Sequence, residues 1–408
     1  MQYLYNLFIY LYVFAIKVTS LFNAKAKMWI SGRKSQEIRI KNKESEILWF
    51  HCASLGEFEQ ARPLIEKSKI QNPTSKIVLT FFSPSGYEIR KNYSGADYIF
   101  YLPMDTPSNA RKFIEQINPQ KVFFIKYEFW FNYLNELKRK NIPTYLVSGI
   151  FRENHYFFKP YGNWFVKQLS SFTHFYLQDQ TSEKLLKQKG FKNTTVCGDT
   201  RFDRVNDIAK NVKSFPLVEQ FKQGKDILIV GSSWKEDEKI ISDSNNQLLA
   251  TNNYKLIIAP HEIDENHIQF IIQQFSDSKI VRYSNANSEN VKTADVLIID
   301  NIGMLSSLYQ YGNIAYIGGG FGKGIHNILE AATFGLPVIF GTNYHKFNEA
   351  KELIQAGGAF SIANNNEFQK TMQLLSDKMV LQTATHIAKH YVQSRTGATD
   401  KIIMTINK

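Results

Sequence analysis

Two kinds of hydrophobic pattern alternate along the chain. Short runs dense in Ile, Val, Leu, Phe and Tyr recur at 46–51, 76–82, 97–102, 121–126, 144–148 and 172–178. Stretches with apolar residues at helical spacing lie between them, as at 108–117, 131–140 and 182–189. Such alternation predicts βαβ units on a parallel sheet. A polar, weakly patterned stretch at 207–224 breaks the rhythm, which restarts with strand-like runs at 226–230, 255–259, 279–283, 295–300, 314–317 and 336–340. Two successive open α/β sheets are expected, joined by a linker near residue 215. The amphipathic run that follows residue 57 extends to Ile70, and Pro63 is expected to restart its helix.

Ligands of open α/β sheets bind beyond the carboxyl ends of the strands, so the residues just after each run matter. They are Ala53-Ser54-Leu55-Gly56-Glu57, Tyr127-Glu128-Phe129-Trp130, Gly198-Asp199-Thr200-Arg201-Phe202-Asp203, Gly231-Ser232-Ser233-Trp234, Pro260-His261-Glu262 and Asn301-Ile302-Gly303-Met304. Glu57 is an acid on a glycine turn placed to point into a cleft, although a carboxylate near a helix N-terminus is also a routine stabilising feature. The densest stretch is 317–341. Gly318, Gly319, Gly320, Gly322 and Gly324 follow a strand-like run, and a helix pattern with Ile328, Leu329, Ala331 and Ala332 on its buried side ends at Gly335. Backbone without side chains at a helix mouth lets N–H groups approach a phosphate. Glu330, about 5 Å of rise inside that helix, could accept hydrogen bonds from a ribose diol. A tight βα turn is the alternative. No G-x-G-x-x-G register fits, because Lys323 and Ile325 stand where the last glycine would be, and Gly324 after Lys323 excludes a Walker A loop. His326-Asn327 and Glu330, polar groups on one end of an apolar helix, favour a nucleotide.

Composition narrows the classes. A chain of 408 residues is too long for one ordinary core and suggests two domains. A mean hydropathy of −0.30 excludes a polytopic membrane protein. Lys+Arg 49 against Asp+Glu 37 gives a net charge of +12, which suits a polyanionic partner. Cys52 and Cys197 form no C-x-x-C pair and read as core thiols in a reducing compartment. No nucleic-acid module appears, since no basic stripe is interleaved with aromatics. No metal site is expected either, because Glu265 stands where H-E-x-x-H needs its second histidine. Ser54 lacks a G-x-S-x-G elbow.

The first sixteen residues carry no charged side chain, and Lys17, Lys25, Lys27, Arg33 and Lys34 follow. A secretory signal would place its positive charge before the apolar run. Tyr3, Tyr5, Tyr10 and Tyr12 among apolar residues suit the headgroup level of a membrane, with the lysines on its anionic cytoplasmic face. A membrane-docking helix is expected, with a buried first helix as the alternative. Removal of residues 1–17 is then expected to leave a folded protein, because the α/β cores begin near Glu46.

Together these motifs resemble the Kdo (3-deoxy-D-manno-octulosonic acid) transferases of Gram-negative lipopolysaccharide assembly. The resemblance covers the apolar N-terminus, 51–57, 82–86, 101–107, 128–132, 198–203 and 318–341 with Phe347-Asn348, and is strongest at Ser54-Leu55-Gly56-Glu57 and at 324–332. It implies the GT-B glycosyltransferase fold, two Rossmann-like parallel-sheet α/β domains facing across a cleft. The expected divisions are a docking helix at 1–22, an acceptor-binding domain at 23–214 and a CMP-sugar-binding domain at 215–408, whose final helix could pack back on the first domain. It also implies transfer of Kdo from CMP-Kdo to the lipid A precursor at the cytoplasmic face of the inner membrane, without cofactor or metal. Glu57 matches the family's general base and Arg201 a basic position that stabilises the transition state. Pro260 and His261, Ile302, Gly303 and Met304, and Asn327, Ile328, Leu329 and Glu330 match the segments that hold CMP. The match at Pro260-His261 is loose, since the family often has Pro-Arg-His there. One departure stands out: relatives carry Glu-x-Glu-Leu-Trp-Pro-Asn, and Lys126 replaces the first acid, so either Glu128 takes over its supporting role or Lys126 reorganises the site. A single base and a leaving phosphate imply one displacement with inversion. Two other readings are a GT-B enzyme using a UDP-sugar, whether transferase or epimerase, and a non-enzymatic membrane-surface adaptor.

Overall fold

Branched and aromatic side chains suit a pleated surface that is packed on both faces, and the apolar runs become strands accordingly. The computed structural model describes residues 1–38, 40, 45–251 and 254–406, with backbone alone for 245–251. They divide into two compact units, Met1–Arg204 with Thr396–Lys408, and Val205–Arg395.

In the first unit, β1 (Ile47–Cys52), β2 (Lys76–Phe81), β3 (Tyr98–Tyr101), β4 (Lys121–Ile125), β5 (Thr144–Gly149), β6 (His174–Leu177) and β7 (Thr194–Val196) form a parallel sheet ordered β3-β2-β1-β4-β5-β6-β7. In the second, β8 (Asp226–Ser233), β9 (Tyr254–Pro260), β10 (Ile280–Arg282), β11 (Val296–Ile298), β12 (Ile314–Ile317), β13 (Val338–Gly341) and β14 (Ala359–Ile362) are ordered β10-β11-β9-β8-β12-β13-β14. Each sheet winds outward on one side of its first strand and then returns to wind the other way. The strand order therefore reverses between β1 and β4, and again between β8 and β12, which are the places where open sheets bind ligands. Alternate residues of β1 enter different cores: Ile47 and Trp49 pack with Phe113, Phe124 and Tyr133, while Leu48, Phe50 and Cys52 pack with Phe58, Leu64 and Phe81. Both cysteines are buried thiols.

Three expectations change. β14 was not foreseen, being a short half-buried edge run with a serine in it. The stretch at 207–224 is largely helical, holding the end of Arg201–Lys210 and the whole of Pro216–Lys222, and the division between units falls at 204/205. Helix α3 (Leu55–Gln71), which follows α1 (Gln2–Thr19) and α2 (Ala24–Ser35), runs unbroken through Pro63. A proline removes one ladder hydrogen bond, and burial of Phe58, Ala61, Leu64 and Ile65 on the same helix offsets that loss.

The N-terminal helix is two-sided, so docking and burial describe opposite faces of one element. On its inner face Ile9 is buried with Trp29 and Met104, and Tyr5, Val13, Ile16 and Phe82 pack around them. Tyr5 Oη donates to Asp105 at 2.5 Å and Gln2 donates to Asn132 at 2.9 Å. On its outer face Leu4, Leu7, Phe8, Leu11 and Phe14 are exposed, with Leu21 and Phe22 just beyond. The expectation that residues 1–17 stand apart from the core is therefore corrected. Among the described residues no single helix is long and apolar enough to cross a membrane; α1 and α2, bent by 119°, pass that test only as a pair. Arg33 of α2 lies 3.8 Å above the Trp29 ring and donates to the carbonyls of Leu102 and Phe82, tying the hairpin to the strand ends.

The helix Ala398–Ile406 completes the first unit. Ala398, Ile402 and Ile403 join the core beneath α3, and Asp203 accepts hydrogen bonds from the backbone N–H of Gly397 and Thr399 and from the Thr399 hydroxyl. Asp203→Ala should destabilise this unit by about 1–3 kcal/mol, the cost of leaving buried donors unpaired. An unchanged urea midpoint would show that the helix is held by its apolar face alone.

Candidate active site

In the first unit the site grows from the ends of β1 and β4. After β1 the chain turns at Ser54 into α3, and Glu57 in the first turn folds back to accept the Ala53 N–H. The contact resembles a capping box but reaches one residue further back than the N-cap Ser54, and a carboxylate in the first turn stabilises the helix whatever else it does. Burial, followed by the nearby charge of Glu128, pushes its carboxyl up to about 8. After β4, Lys126 takes a left-handed backbone (φ 62°). From that turn Glu128 returns to the end of β1, with Oε2 3.1 Å from His51 Nε2 and 2.6 Å from Trp130 Nε1. Glu128 is buried, and burial lifts its carboxyl to about 7.

His51 is fully buried, and burial lowers its imidazole to about 3, so it is neutral. Its Nδ1 lies 2.8 Å from Thr80 Oγ1, which also accepts the Trp49 indole N–H at 2.8 Å. Thr80 can then donate to Nδ1, which leaves Nε2–H to donate to Glu128 and directs the Trp130 N–H along its shorter contact to the same carboxylate. Two neighbouring carboxyls, both shifted toward neutrality, can take up and release a proton near physiological pH.

Arg201 opens its own helix. Its backbone N–H and guanidinium both bind Asp199, at 2.9 and 2.8 Å. Burial opposes ionisation of Asp199, but Arg201 outweighs it and holds the carboxyl below the usual range. Gln60 of α3 donates to Asp199 at 3.1 Å, which anchors this strand end to the helix of Glu57. The charge of Arg201 is thus shared with a buried carboxylate.

In the second unit the site grows from β8, β9 and β12. The glycines after β12 have a packing reason: a Cβ on Gly318 would sit 2.3 Å from the Ser232 carbonyl oxygen, and one on Gly320 2.5 Å from the Gly341 nitrogen. Several of the amides expected to face a phosphate are engaged within the chain. Gly318 N–H binds Gly231, Gly319 N–H binds Asp237, Gly322 and Gly324 N–H bind Gly319, and His326 N–H binds Gly318. The helix that follows is only Leu329–Ala332, with Glu330 in its first turn rather than one turn inside. So short a helix supplies little dipole. The side chains of Ile328 and Leu329 are buried in the core and can offer a ligand only backbone.

What remains is a set of side chains. Asn327 donates to Glu330 at 3.1 Å while its oxygen accepts the Leu329 N–H. Pro260 ends β9, and His261 stacks between Trp234 (centroids 4.6 Å) and His326 (4.4 Å). The Trp234 indole N–H donates to His326 Nε2 at 3.2 Å. Burial, then His261, lowers the His326 imidazole to about 4. Ile302 is 89% exposed, Gly303 has a φ of 90°, and buried Met304 precedes the turn whose Leu305 and Tyr309 pack against Gly231. Among the described residues Glu262, Asp264 and His267 lie close enough to share a cation. Asp264 already caps its helix through the His267 N–H, and His267 binds buried Glu238 at 2.9 Å.

Sequence reasoning gave His51, Trp130 and Trp234 no role of their own, and took His326 only as a polar group beside a nucleotide. A signal existed for the first: His51 and Thr80 are polar residues in otherwise apolar strands, and such groups need partners.

A sequence-family model described as 3-deoxy-D-manno-octulosonic-acid transferase (kdotransferase) matches residues 29–204. The chain is 30% identical over 337 residues to the 3-deoxy-D-manno-octulosonic acid transferase of Aquifex aeolicus, across 81% of this chain and 86% of that protein. It is 27% identical over 327 residues to the enzyme of the same name from Haemophilus influenzae, across 77% of this chain and 75% of that protein. Among solved structures, the UDP-GlcNAc 2-epimerase of Neisseria meningitidis bound to UDP-GlcNAc matches with a TM-score of 0.62 at 16% identity, over 88% of this chain and 99% of that one. This last likeness concerns the fold alone, and the fold is GT-B.

The ring stack can be tested without any ligand. The Trp234 N–H requires an unprotonated His326 Nε2, so the stabilisation it gives is present above the ordinary histidine range and is lost as pH falls through about 4. The Trp234 indole N–H resonance should move over that interval, and His326→Ala should abolish the movement. A resonance that titrates near the ordinary histidine value would contradict the burial of this pair.

Proposed function

The chain belongs to the Kdo transferase family and is a glycosyltransferase, and on that premise we propose that it moves Kdo from CMP-Kdo to a hydroxyl of the lipid A precursor. The carrying observation is the pair of carboxyls, half-buried Glu57 and buried Glu128, at the reversal point between β1 and β4, each displaced toward neutral pH. Glu57 is the general base. It takes the proton from the acceptor hydroxyl as that oxygen bonds to the anomeric carbon, the bond from that carbon to the CMP phosphate oxygen breaks, and the electron pair leaves with CMP. One displacement inverts the anomeric centre.

Glu128 takes the supporting role that Lys126 cannot fill. It is the acid that reaches His51 and Trp130, and its charge raises the basicity of Glu57. Arg201 stabilises the charge that grows on the departing phosphate, as a preorganised cation does best in a partly buried site. In the second unit Glu330 and Asn327 receive the ribose hydroxyls of CMP. His261 and Pro260, Ile302, Gly303 and Met304, and the backbone of Ile328 and Leu329 hold the rest. With many loop amides already engaged, side chains carry more of this recognition than a helix mouth does.

The outer face of α1, with exposed Lys17, Lys25, Lys27 and Lys34 after it, docks the enzyme on the anionic cytoplasmic surface of the inner membrane, where a bisphosphorylated acyl acceptor lies. Apolar side chains enter the headgroup boundary and the lysines meet lipid phosphates.

Incubation with CMP-Kdo and lipid A precursor should yield a product heavier by one or more Kdo residues, while UDP-sugars should yield none. Glu57→Gln should lower turnover by roughly 10²–10⁴ while CMP still binds, and near-wild-type turnover would remove Glu57 as the base. Because a base must be unprotonated, kcat/KM should rise with pH and level above about 8. Glu330→Ala should weaken CMP binding by about 1–3 kcal/mol, the loss of hydrogen bonds to a charged acceptor. Unchanged CMP affinity by calorimetry would mean that the glycine segment is a turn and nothing more.

A further inference from the structure

Helix α1 is fastened to the segment that carries Glu128 by two independent sets of contacts. The first is aromatic. Tyr12 stacks on Phe82, with ring centroids 6.4 Å apart and planes at 22°. Phe82 lies against Trp130 at 4.7 Å, and the Trp130 indole N–H donates to Glu128. The second is polar. Asp105, which accepts the Tyr5 hydroxyl, also accepts the backbone N–H groups of Asn132 and Tyr133 at 3.1 and 3.0 Å. Those two residues form the first turn of the helix Phe131–Arg139, whose N-cap is Trp130. Asn132 in turn accepts from Gln2 and donates to Asn6. Residues of α1 therefore hold Trp130 both by the ring that flanks it and by the turn that follows it. Membrane docking does not call for the polar ties of Gln2, Tyr5 and Asn6, which lie away from exposed Leu4, Leu7, Leu11 and Phe14, while Tyr12, stacked also on Phe8 of the outer face, sits at the border of the two faces.

We propose that Trp130 is a positioning residue that directs the Glu128 carboxylate, and that Tyr12, acting through Phe82, holds Trp130 in place, so that α1 supports catalysis as well as docking. The proposal rests on the reading of Glu128 as the supporting acid. Without Tyr12, Phe82 keeps Trp29 and Arg33 but is free to shift toward the vacated side, and an indole whose flanking ring shifts regains rotamer freedom, so that Glu128 keeps His51 as a donor but loses the second one. A buried carboxylate with fewer donors is both less ionised and less well aimed. The other groups that act on this cluster are Glu57 from α3, Lys126 at the end of β4, Arg33 from α2, which acts on His51, and Cys52 and Tyr156, which feel Glu128.

The test uses full-length protein, CMP-Kdo and acceptor dispersed in neutral detergent, where no membrane needs to be found. Tyr12→Ala should lower kcat by about tenfold or more, as small misplacements of reacting groups do, with KM for CMP-Kdo unchanged. Tyr12→Phe, which keeps the ring, should restore it. Trp130→Phe, which keeps an aromatic ring but removes the N–H with the rest of the indole, should lower kcat in the same way, and in both impaired variants the acidic limb of the kcat–pH profile should move downward, because a less ionised Glu128 raises the Glu57 carboxyl less. In a Glu128→Gln background, Tyr12→Ala should add little further loss, because coupled sites are not additive. If Tyr12→Ala keeps kcat and pH profile in detergent and loses activity only on vesicles, α1 is an anchor alone and the proposal fails. It also fails if the loss from Tyr12→Ala is undiminished in the Glu128→Gln background, since the effect then arises elsewhere. Full kcat in Glu128→Gln would overturn the supporting-acid reading and this proposal together. Loss of kcat in Glu128→Gln with none in Tyr12→Ala or Trp130→Phe would overturn this proposal alone.

Discussion

A strand covered on both faces can hold a polar side chain only if a partner is brought to it. β1 is buried along its whole length, and His51 lies on the face that also carries Trp49. An imidazole left without partners there would cost a few kcal/mol of desolvation. Thr80 from β2 meets one ring nitrogen and Glu128 from beyond β4 meets the other. Bringing Glu128 back requires the chain to reverse at Lys126, which accepts a left-handed backbone that bulky residues usually avoid. Once Glu128 is buried, its own charge needs donors, and Trp130 is placed to be one. The candidate site in the first unit follows from satisfying one buried histidine.

The second unit meets the same constraint by a different route. Neighbouring strand ends approach so closely that glycine is required at Gly318 and Gly320, and the freed amides bond to the chain itself and to Asp237. Asp237 also accepts from the Trp234 backbone N–H and the Tyr316 hydroxyl, which ties the ends of β8 and β12 together. A loop that spends its donors internally has few amides left for a ligand, and the side chains at its rim are the groups that remain. Asn327 just before the short helix bonds Glu330 within it, and three stacked rings, Trp234, His261 and His326, form a wall that the isolated motifs did not suggest.

What could be read from the sequence follows from which interactions are local. The strands were legible because long apolar runs bounded by Gly, Pro and Asn have few other stable states, and the family resemblance rested on turn residues such as Ser54-Leu55-Gly56-Glu57, whose geometry is set within a few positions. β14 was not legible, because an edge strand needs less apolar length and its identity depends on pairing with β13. The extent of the helix at Glu330 was overread, since the apolar residues at 328–332 are buried whether or not a full helix forms. A polar residue in an apolar strand marked His51 as needing a partner, but which partner, and the role of Trp130, could not be read because these contacts join residues 77 and 79 positions apart. The N-terminal segment was read as either docked or buried because composition averages over a helix, whereas its two faces have different neighbours.

The tie between Asp203 and the last helix has a bearing on how the protein is made. The second unit is one uninterrupted stretch, but the first is closed only when Ala398, Ile402 and Ile403 reach the core beneath α3. On a ribosome, where folding proceeds as segments emerge, the second unit can reach its final state while the first still has an apolar strip uncovered beside α3. The unit whose synthesis begins first is thus finished only after the whole of the second unit has been made.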